Sequence, residues 1–265
     1  MIIAIMGENK TGTSTLSLTF PKPLHHIDFD PGGFERAARR FNEELDSGAI
    51  QHTVYFTPLQ AMREKIEGKT SMKPRIRLHG YKEQWYQMLS IYFDILEGSK
   101  KAGNGEMFKT VVFDTFTGVY ELARDGYLQE LQEAQKPDAQ IRERLLQIEY
   151  GPINKRMKAI IDAASEVGRS REFHLVLVHH MTDVYEKKLV DGKIEEVKVG
   201  RDLAGWKSDK LNDLVHLILE CKLEKNHDGS YVPTAKVALS GMGLGLYTMP
   251  AIQNPTWDKI AKLIK

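Results

Sequence analysis

The sequence predicts an α/β fold, with a mostly parallel twisted sheet, helices on both faces and an added β-hairpin. Three observations predict it. Continuous apolar runs recur: IIAIM (2–6), LHHIDF (24–29), HTVYF (52–56), KTVVFD (109–114), FHLVLVHH (173–180) and LVHLILEC (214–221). Runs of this length, rich in β-branched and aliphatic residues, match strands covered on both faces. Helical patterns lie between them, and alternating strand and helix winds a parallel sheet. Finally, VYEKKLV and KIEEVKV (184–199) flank Asp191-Gly192, a dipeptide that tolerates positive φ at both positions and closes hairpins.

The helices follow from apolar spacing. In EQWYQMLSIYFDILE (83–97), Trp85, Met88, Leu89, Tyr92, Phe93 and Leu96 fall on one face. In PINKRMKAIIDAASEVG (152–168), Ile153, Met157, Ile160, Ile161, Ala164 and Val167 do the same. Pro152 stands near its start and Gly168 near its end, as capping rules expect. GSKKAGNGE (98–106) is a polar loop, and KPDAQIRERLLQIEYG (136–151) is a charged helix facing solvent or another subunit. SYVPTAKVALSG (230–241) is a strand near a sheet edge, because Pro233 cannot donate to a ladder. TWDKIAKLIK (256–265) is a short closing helix. No repeat, low-complexity segment or linker divides residues 1–265, so one domain is expected.

An apolar share of 42% supports a sizeable core, and a net charge of +1 neither requires nor excludes nucleic acid. No apolar run approaches the ~18 residues of a membrane span. The opening MIIAIMG lacks a basic leader, so no signal peptide is expected. One cysteine, Cys221, allows no internal disulfide framework and fits a reducing, cytoplasmic setting.

The chemistry concentrates in GENKTGTST (7–15), between the first strand and a helix. Gly7 and Gly12 have the spacing of a loop whose backbone N–H groups turn inward around phosphate oxygens. The candidate binding residues are Gly7, Glu8, Asn9, Lys10, Thr11, Gly12, Thr13, Ser14 and Thr15. Ser14 stands where a hydroxyl reaches Mg²⁺. Thr13 stands where the pattern has lysine, so the usual charge on the terminal phosphates is missing there. Lys10, inside the loop, has a flexible stem able to swing back. An ordinary strand-to-helix turn is the alternative.

Three further stations accompany the loop. In IDFDPGG (27–33), Asp28 and Asp30 alternate with apolar residues, so either can orient a water at the strand's end. Turn chemistry explains the same residues. In KTVVFDTFT (109–117), the strand delivers Asp114 to its end, where it can hold Mg²⁺ through water with Thr115 assisting, or cap the next helix. FHLVLVHH ends in His179 and His180, either of which can contact a terminal phosphate. Adjacent strand residues face opposite sides, which argues against a metal site, and His25 and His26 are read as structural.

In this order, GENKTGTS, HIDFDPGG, TVVFDTFT and LVLVHH resemble the RecA-like P-loop ATPase core. They resemble more closely its compact phage-type nucleotide-binding proteins, which act in single-strand annealing and recombination. EYGPINKRMKAII, the hairpin and DLVHLILECKL fit the same order, so the likeness covers residues 1 to 250. The resemblance implies ATP and Mg²⁺, with Ser14 and Asp114 on the metal. It puts Asp30 in place of the water-activating glutamate and His179 or His180 at the γ-phosphate. It also implies rings or filaments of copies and, for a phage protein, the host cytoplasm. Thr13 for lysine and the shorter Asp30 both lower the expected hydrolysis, with Lys10 partly replacing the charge. The competing expectation is a degenerate, non-hydrolysing DNA-binding or assembly module. A nucleotide kinase is disfavoured, because no arginine-rich lid is present.

By the same resemblance, single-stranded DNA contact is expected between Thr182 and Lys210. Lys187, Lys188, Lys193, Lys198, Arg201, Lys207 and Lys210 could follow a backbone, and Tyr185 and Trp206 could stack on bases. Interspersed Glu186, Glu195, Glu196, Asp202 and Asp209 give a solvated hairpin the same appearance.

Overall fold

The computed structural model describes residues 1–30, 32–56, 77–136, 139–190, 193–206, 208–226, 228–241 and 249–264. In chain order its elements begin with β1 (Ile2–Gly7), α1 (Thr13–Ser17), β2 (Leu24–Asp28), α2 (Gly33–Ala38), α3 (Asn42–Asp46) and β3 (Ile50–Val54). Then come α4 (Tyr81–Glu97), β4 (Thr110–Asp114), α5 (Phe116–Glu133), a 3-10 turn (Gln147–Glu149) and α6 (Tyr150–Ser170). The rest is β5 (His174–Val190), β6 (Lys193–Leu203), α7 (Ser208–Leu211), β7 (Leu217–Lys225), β8 (Tyr231–Ser240), β9 (Ile252–Gln253) and α8 (Trp257–Leu263).

Among the described residues the strands form a nine-stranded sheet ordered β3-β2-β4-β5-β1-β7-β8-β9, with β6 paired to the far half of β5. From β3 to β7 every pairing is parallel, while β8, β9 and the β5–β6 hairpin pair antiparallel. The sheet is therefore mostly parallel with helices on both faces, as the alternating pattern predicts. Strand alternation divides the core. Ile2, Ala4, Leu175 and Leu177 pack with α4, α5 and α6 through Trp85, Tyr92, Phe116 and Ile160. Ile3, Ile5, Val176 and Val178 pack on the other face with Leu16, Phe34 and Trp257. No helix among the described residues is long and apolar enough to cross a membrane.

Several expectations shift. The third strand runs two residues earlier than HTVYF, because Ile50 is the buried partner of Leu24. The seventh begins at Leu217 rather than Leu214, since the N–H groups of Leu214 and Val215 donate to the Leu211 carbonyl in a turn. On α4, Ile95 is fully buried while Phe93 is 39% exposed, so Phe93 leaves the predicted face. α6 runs two residues past Gly168. Pro233 lies one strand in from the edge, where only β9 covers β8. Asp191-Gly192 lies outside the described residues, but the strands either side pair from Met181↔Leu203 to Val190↔Lys193 as a hairpin requires.

Among the described residues of 136–151, the expected charged helix does not form before the turn at Gln147. Side chains take up its backbone instead. The Gln132 amide donates to the Arg142 carbonyl at 2.6 Å, Arg142 N–H donates to Gln135, and Leu146 N–H donates to Glu149 at 2.7 Å. Leu145 is buried by the same path.

A neighbouring glutamine caps α4. Its N-cap is Gly80, which has no side chain to offer. Gln129, buried on α5, accepts from the N–H groups of Tyr81 and Lys82 at 2.9 and 3.0 Å. Its own amide donates to Glu133 and Glu83. Gln129→Ala is expected to lower stability by about 1–3 kcal/mol, because the N–H groups of Tyr81 and Lys82 lose their Gln129 acceptor. Urea unfolding checks this.

Candidate functional site

β1 delivers Gly7 to the carboxyl edge of the sheet, between β5 and β7, where Gly7 is in register with His180 and Cys221. The chain then turns tightly. Thr11 donates to the Glu8 carbonyl through its N–H and, at 2.8 Å, through its hydroxyl. Lys10 has a φ of 69° and Gly12 one of 92°, which turns the loop into α1. The short helix begins at Thr13 and anchors itself by burying Leu16.

The loop forms one wall of a cleft of about 620 Å³. Gly7, Glu8, Asn9, Lys10, Gly12, Thr13, Ser14 and Thr15 line it, together with Asp30, Asp114, Thr115, His179 and His180. One cavity thus gathers nearly all the candidate residues. Thr11 is the exception: it is buried, and its hydroxyl is spent on Glu8. Parallel strands place their carboxyl ends together, and ligands of open α/β sheets bind outside those ends.

β4 is not next to β1, because β5 lies between them. Asp114 therefore faces the glycine loop across the strand end that carries His179 and His180. The Asp114–Thr115 peptide is cis. Asp114 is buried, and its Oδ2 lies 3.4 Å from His26 Nε2. The contact lacks hydrogen-bond alignment, so both atoms are without a hydrogen-bond partner among the described residues. Thr115 caps α5 by accepting from Gly118 N–H at 3.1 Å.

The two aspartates of IDFDPGG separate. Asp30 lines the cleft, but Asp28 is buried beside Asp114 in register and accepts from Asp30 N–H at 2.9 Å. Burial pushes the Asp28 carboxyl up to about 6. The histidine pair separates too. His179 meets the edge of Phe116 at 5.5 Å, on the α5 face. Burial pushes its imidazole down to about 3, and neither ring nitrogen has a hydrogen-bond partner among the described residues. His180 is half-buried and by alternation shares the α1 face with Val176 and Val178. His25 and His26 are both buried, and His25 contacts Thr53 at 3.1 Å.

Two residues of this wall escape sequence reasoning. Arg36 and Arg40, at the end of α2 and just beyond, also line the cleft. Their signal is present in FERAARR, where they stand four apart, but only the packing of α2 beside α1 puts them opposite the loop. Among the described residues no group of three or more His, Cys, Asp and Glu gathers to hold a metal by itself.

The hairpin is less suited to DNA than its composition suggests. Trp206 is buried, donating to Asn154 at 3.1 Å and meeting Phe116, so it is not available to stack on a base. Lys188 pairs with Glu186, Lys198 with Asp183 and Lys210 with Asp209. Arg201 pairs with Asp183 at 3.2 Å and with Glu8 of the glycine loop. Tyr185 remains 56% exposed and Lys187 is exposed, while Lys207 and the Lys193 side chain lie outside the described residues.

No curated protein matches the chain at a significant level. A profile of the AAA domain matches residues 1–256. The chain therefore belongs to the AAA-domain family, whose members are nucleotide-binding domains of the P-loop ATPase type.

Proposed function

We propose that the cleft binds ATP with Mg²⁺, and that the whole chain is one nucleotide-binding domain working in DNA recombination or single-strand annealing. One observation supports the nucleotide most directly. Asp114 and His179 both line the cleft that the glycine loop walls, and Asp114 Oδ2 and both His179 nitrogens are buried without hydrogen-bond partners among the described residues. Buried polar atoms are rarely left unpaired, so a ligand that supplies partners accounts for them.

The roles follow from position. The Gly7–Gly12 amides grip the phosphate tail. Ser14 and Asp114 would hold Mg²⁺; both offer hard oxygen donors on one cleft, which suits that ion. Mg²⁺ would supply charge neutralisation on the phosphates. Lys10 covers part of the charge missing at Thr13, Asp30 orients the attacking water, and His179, neutral at pH 7, detects the terminal phosphate. DNA contact is assigned to Tyr185 and Lys187 of the hairpin. The Arg201–Glu8 pair supports coupling between that hairpin and the loop. Assembly of copies into a ring or filament belongs to the same proposal.

Thr13 favours a second reading, a cleft that binds ATP without splitting it. Calorimetric titration with ATP and Mg²⁺, with and without single-stranded DNA, tests the first claims. Saturable ATP binding is expected, and its absence defeats the reading. Single strands should bind and shift the ATP affinity; no binding removes the DNA role. Thr13→Lys should raise turnover about 100-fold if the native site is a weakened engine. Unchanged turnover supports the non-hydrolysing module.

A further inference from the structure

α2 and the turn after it spell FERAARR (34–40). Phe34, Ala37 and Ala38 are buried and fix this segment against the sheet. Arg36 and Arg40 are exposed, one turn apart, and border the same cleft as the glycine loop. Neither is paired with a carboxylate among the described residues. Like charges at this spacing repel each other, and the repulsion becomes attraction once an anion lies between them. Arg36 also lies close over Gly32. Its Nη1 would lie 3.1 Å from a Cβ built at Gly32, so the guanidinium folds across a residue that has no side chain. The opposing wall offers Thr13, without charge, where a lysine would normally stand.

We infer that Arg36 and Arg40 form a two-pronged cationic clamp on the terminal phosphates of the bound nucleotide, supplying from the α2 wall the charge that Thr13 lacks. This rests on the nucleotide reading above. Guanidinium suits the task. Its planar fork takes phosphate oxygens in pairs and keeps its charge at every working pH. A clamp of this kind counts phosphates: ATP gains most from it, ADP less and AMP least. The third arginine of the run, Arg39, is equally exposed but does not border the cleft. It is the natural control, because removing it also removes a positive charge.

The test is calorimetric titration of the full chain with ATP, ADP and AMP at fixed ionic strength. Wild type is compared with Arg36→Gln/Arg40→Gln and with Arg39→Gln, and each protein's melting temperature is recorded. The double variant should lose about tenfold or more in ATP affinity and little in AMP affinity, with its melting temperature unchanged. Arg39→Gln should bind as wild type does. Salt should weaken ATP binding less steeply in the double variant. If the double variant folds and binds ATP like wild type, the clamp is wrong and the nucleotide reading survives. If Arg39→Gln loses as much as the double variant, general charge explains the effect and the clamp is wrong. If wild type itself binds no ATP, the nucleotide reading fails and the clamp fails with it. Should the double variant melt early, Arg36→Lys/Arg40→Lys decides. Retained charge without the fork should recover part of the ATP affinity, and no recovery in a folded protein counts against the clamp.

Discussion

Gly7→Ala is expected to remove ATP binding, by about 100-fold or more, while the chain still folds. A Cβ at Gly7 would sit 2.4 Å from Thr11 Oγ1 and 2.9 Å from both the Cys221 carbonyl and Thr13 Cγ2. None of these yields easily. The Cys221 carbonyl belongs to β7, in register with Gly7, and the Thr11 hydroxyl is tied to Glu8. The loop must therefore move, and the amides that face the cleft move with it. Losing two charge-assisted hydrogen bonds, each about 1.5 kcal/mol or more, gives the stated factor. Overpacking should cost stability a further ~1–3 kcal/mol. Gly151→Ala is the comparison: a Cβ there meets nothing within 4 Å, and the residue sits in α6. That variant should keep full affinity and gain up to about 1 kcal/mol of helix stability. Equal ATP affinity in the two variants would remove the loop from the binding site.

Acidification from pH 7 to pH 5 is expected to cost the fold about 5 kcal/mol. His25, His174 and His179 carry the effect. All three are buried, and burial pushes His25 and His179 down to about 3 and His174 down to about 4. In the unfolded chain a histidine titrates near 6.5. Between those values the unfolded state binds protons that the folded state refuses, so stability falls as pH drops below about 6.5. At pH 5 each ring accounts for about 2 kcal/mol. Asp28 has the opposite sign. Its carboxyl, raised to about 6, keeps a proton in the folded state that the unfolded chain has released. That returns about 1 kcal/mol at pH 5. Urea midpoints measured across this range, at constant m, check the sum. His25→Gln should remove about 2 kcal/mol of the loss, and a flat midpoint would contradict the assignment.

Much of this fold is legible in the sequence because a doubly covered parallel sheet writes its strands as apolar runs, and β1, β4 and the first half of β5 are such runs. The glycine loop is legible for a similar reason, since its geometry needs Gly7 and Gly12 at fixed spacing. What stays hidden depends on meetings between distant segments. Nothing local says that Gln129 caps the helix at Tyr81, that Trp206 turns inward onto Asn154, or that Arg36 stands across from Thr13. The segment 136–151 misleads for the converse reason. Its composition suits a helix, but Gln132, Gln135 and Glu149 bind its backbone in another path. Asp28 and Asp30 look equivalent as letters and differ only because one ends inside the sheet beside Asp114.

β5 does not stop where the sheet stops. Beyond the histidine pair it continues from Met181 to Val190, about 30 Å of strand at ~3.3 Å per residue. Its base is held to the glycine loop by Arg201 and Glu8, a surface ion pair whose grip is weak and easily exchanged. The geometry is that of a long pointer on a soft pivot. Five degrees of tilt at the base sweeps the far end through about 3 Å, so small rearrangements beside Glu8 reach solvent magnified.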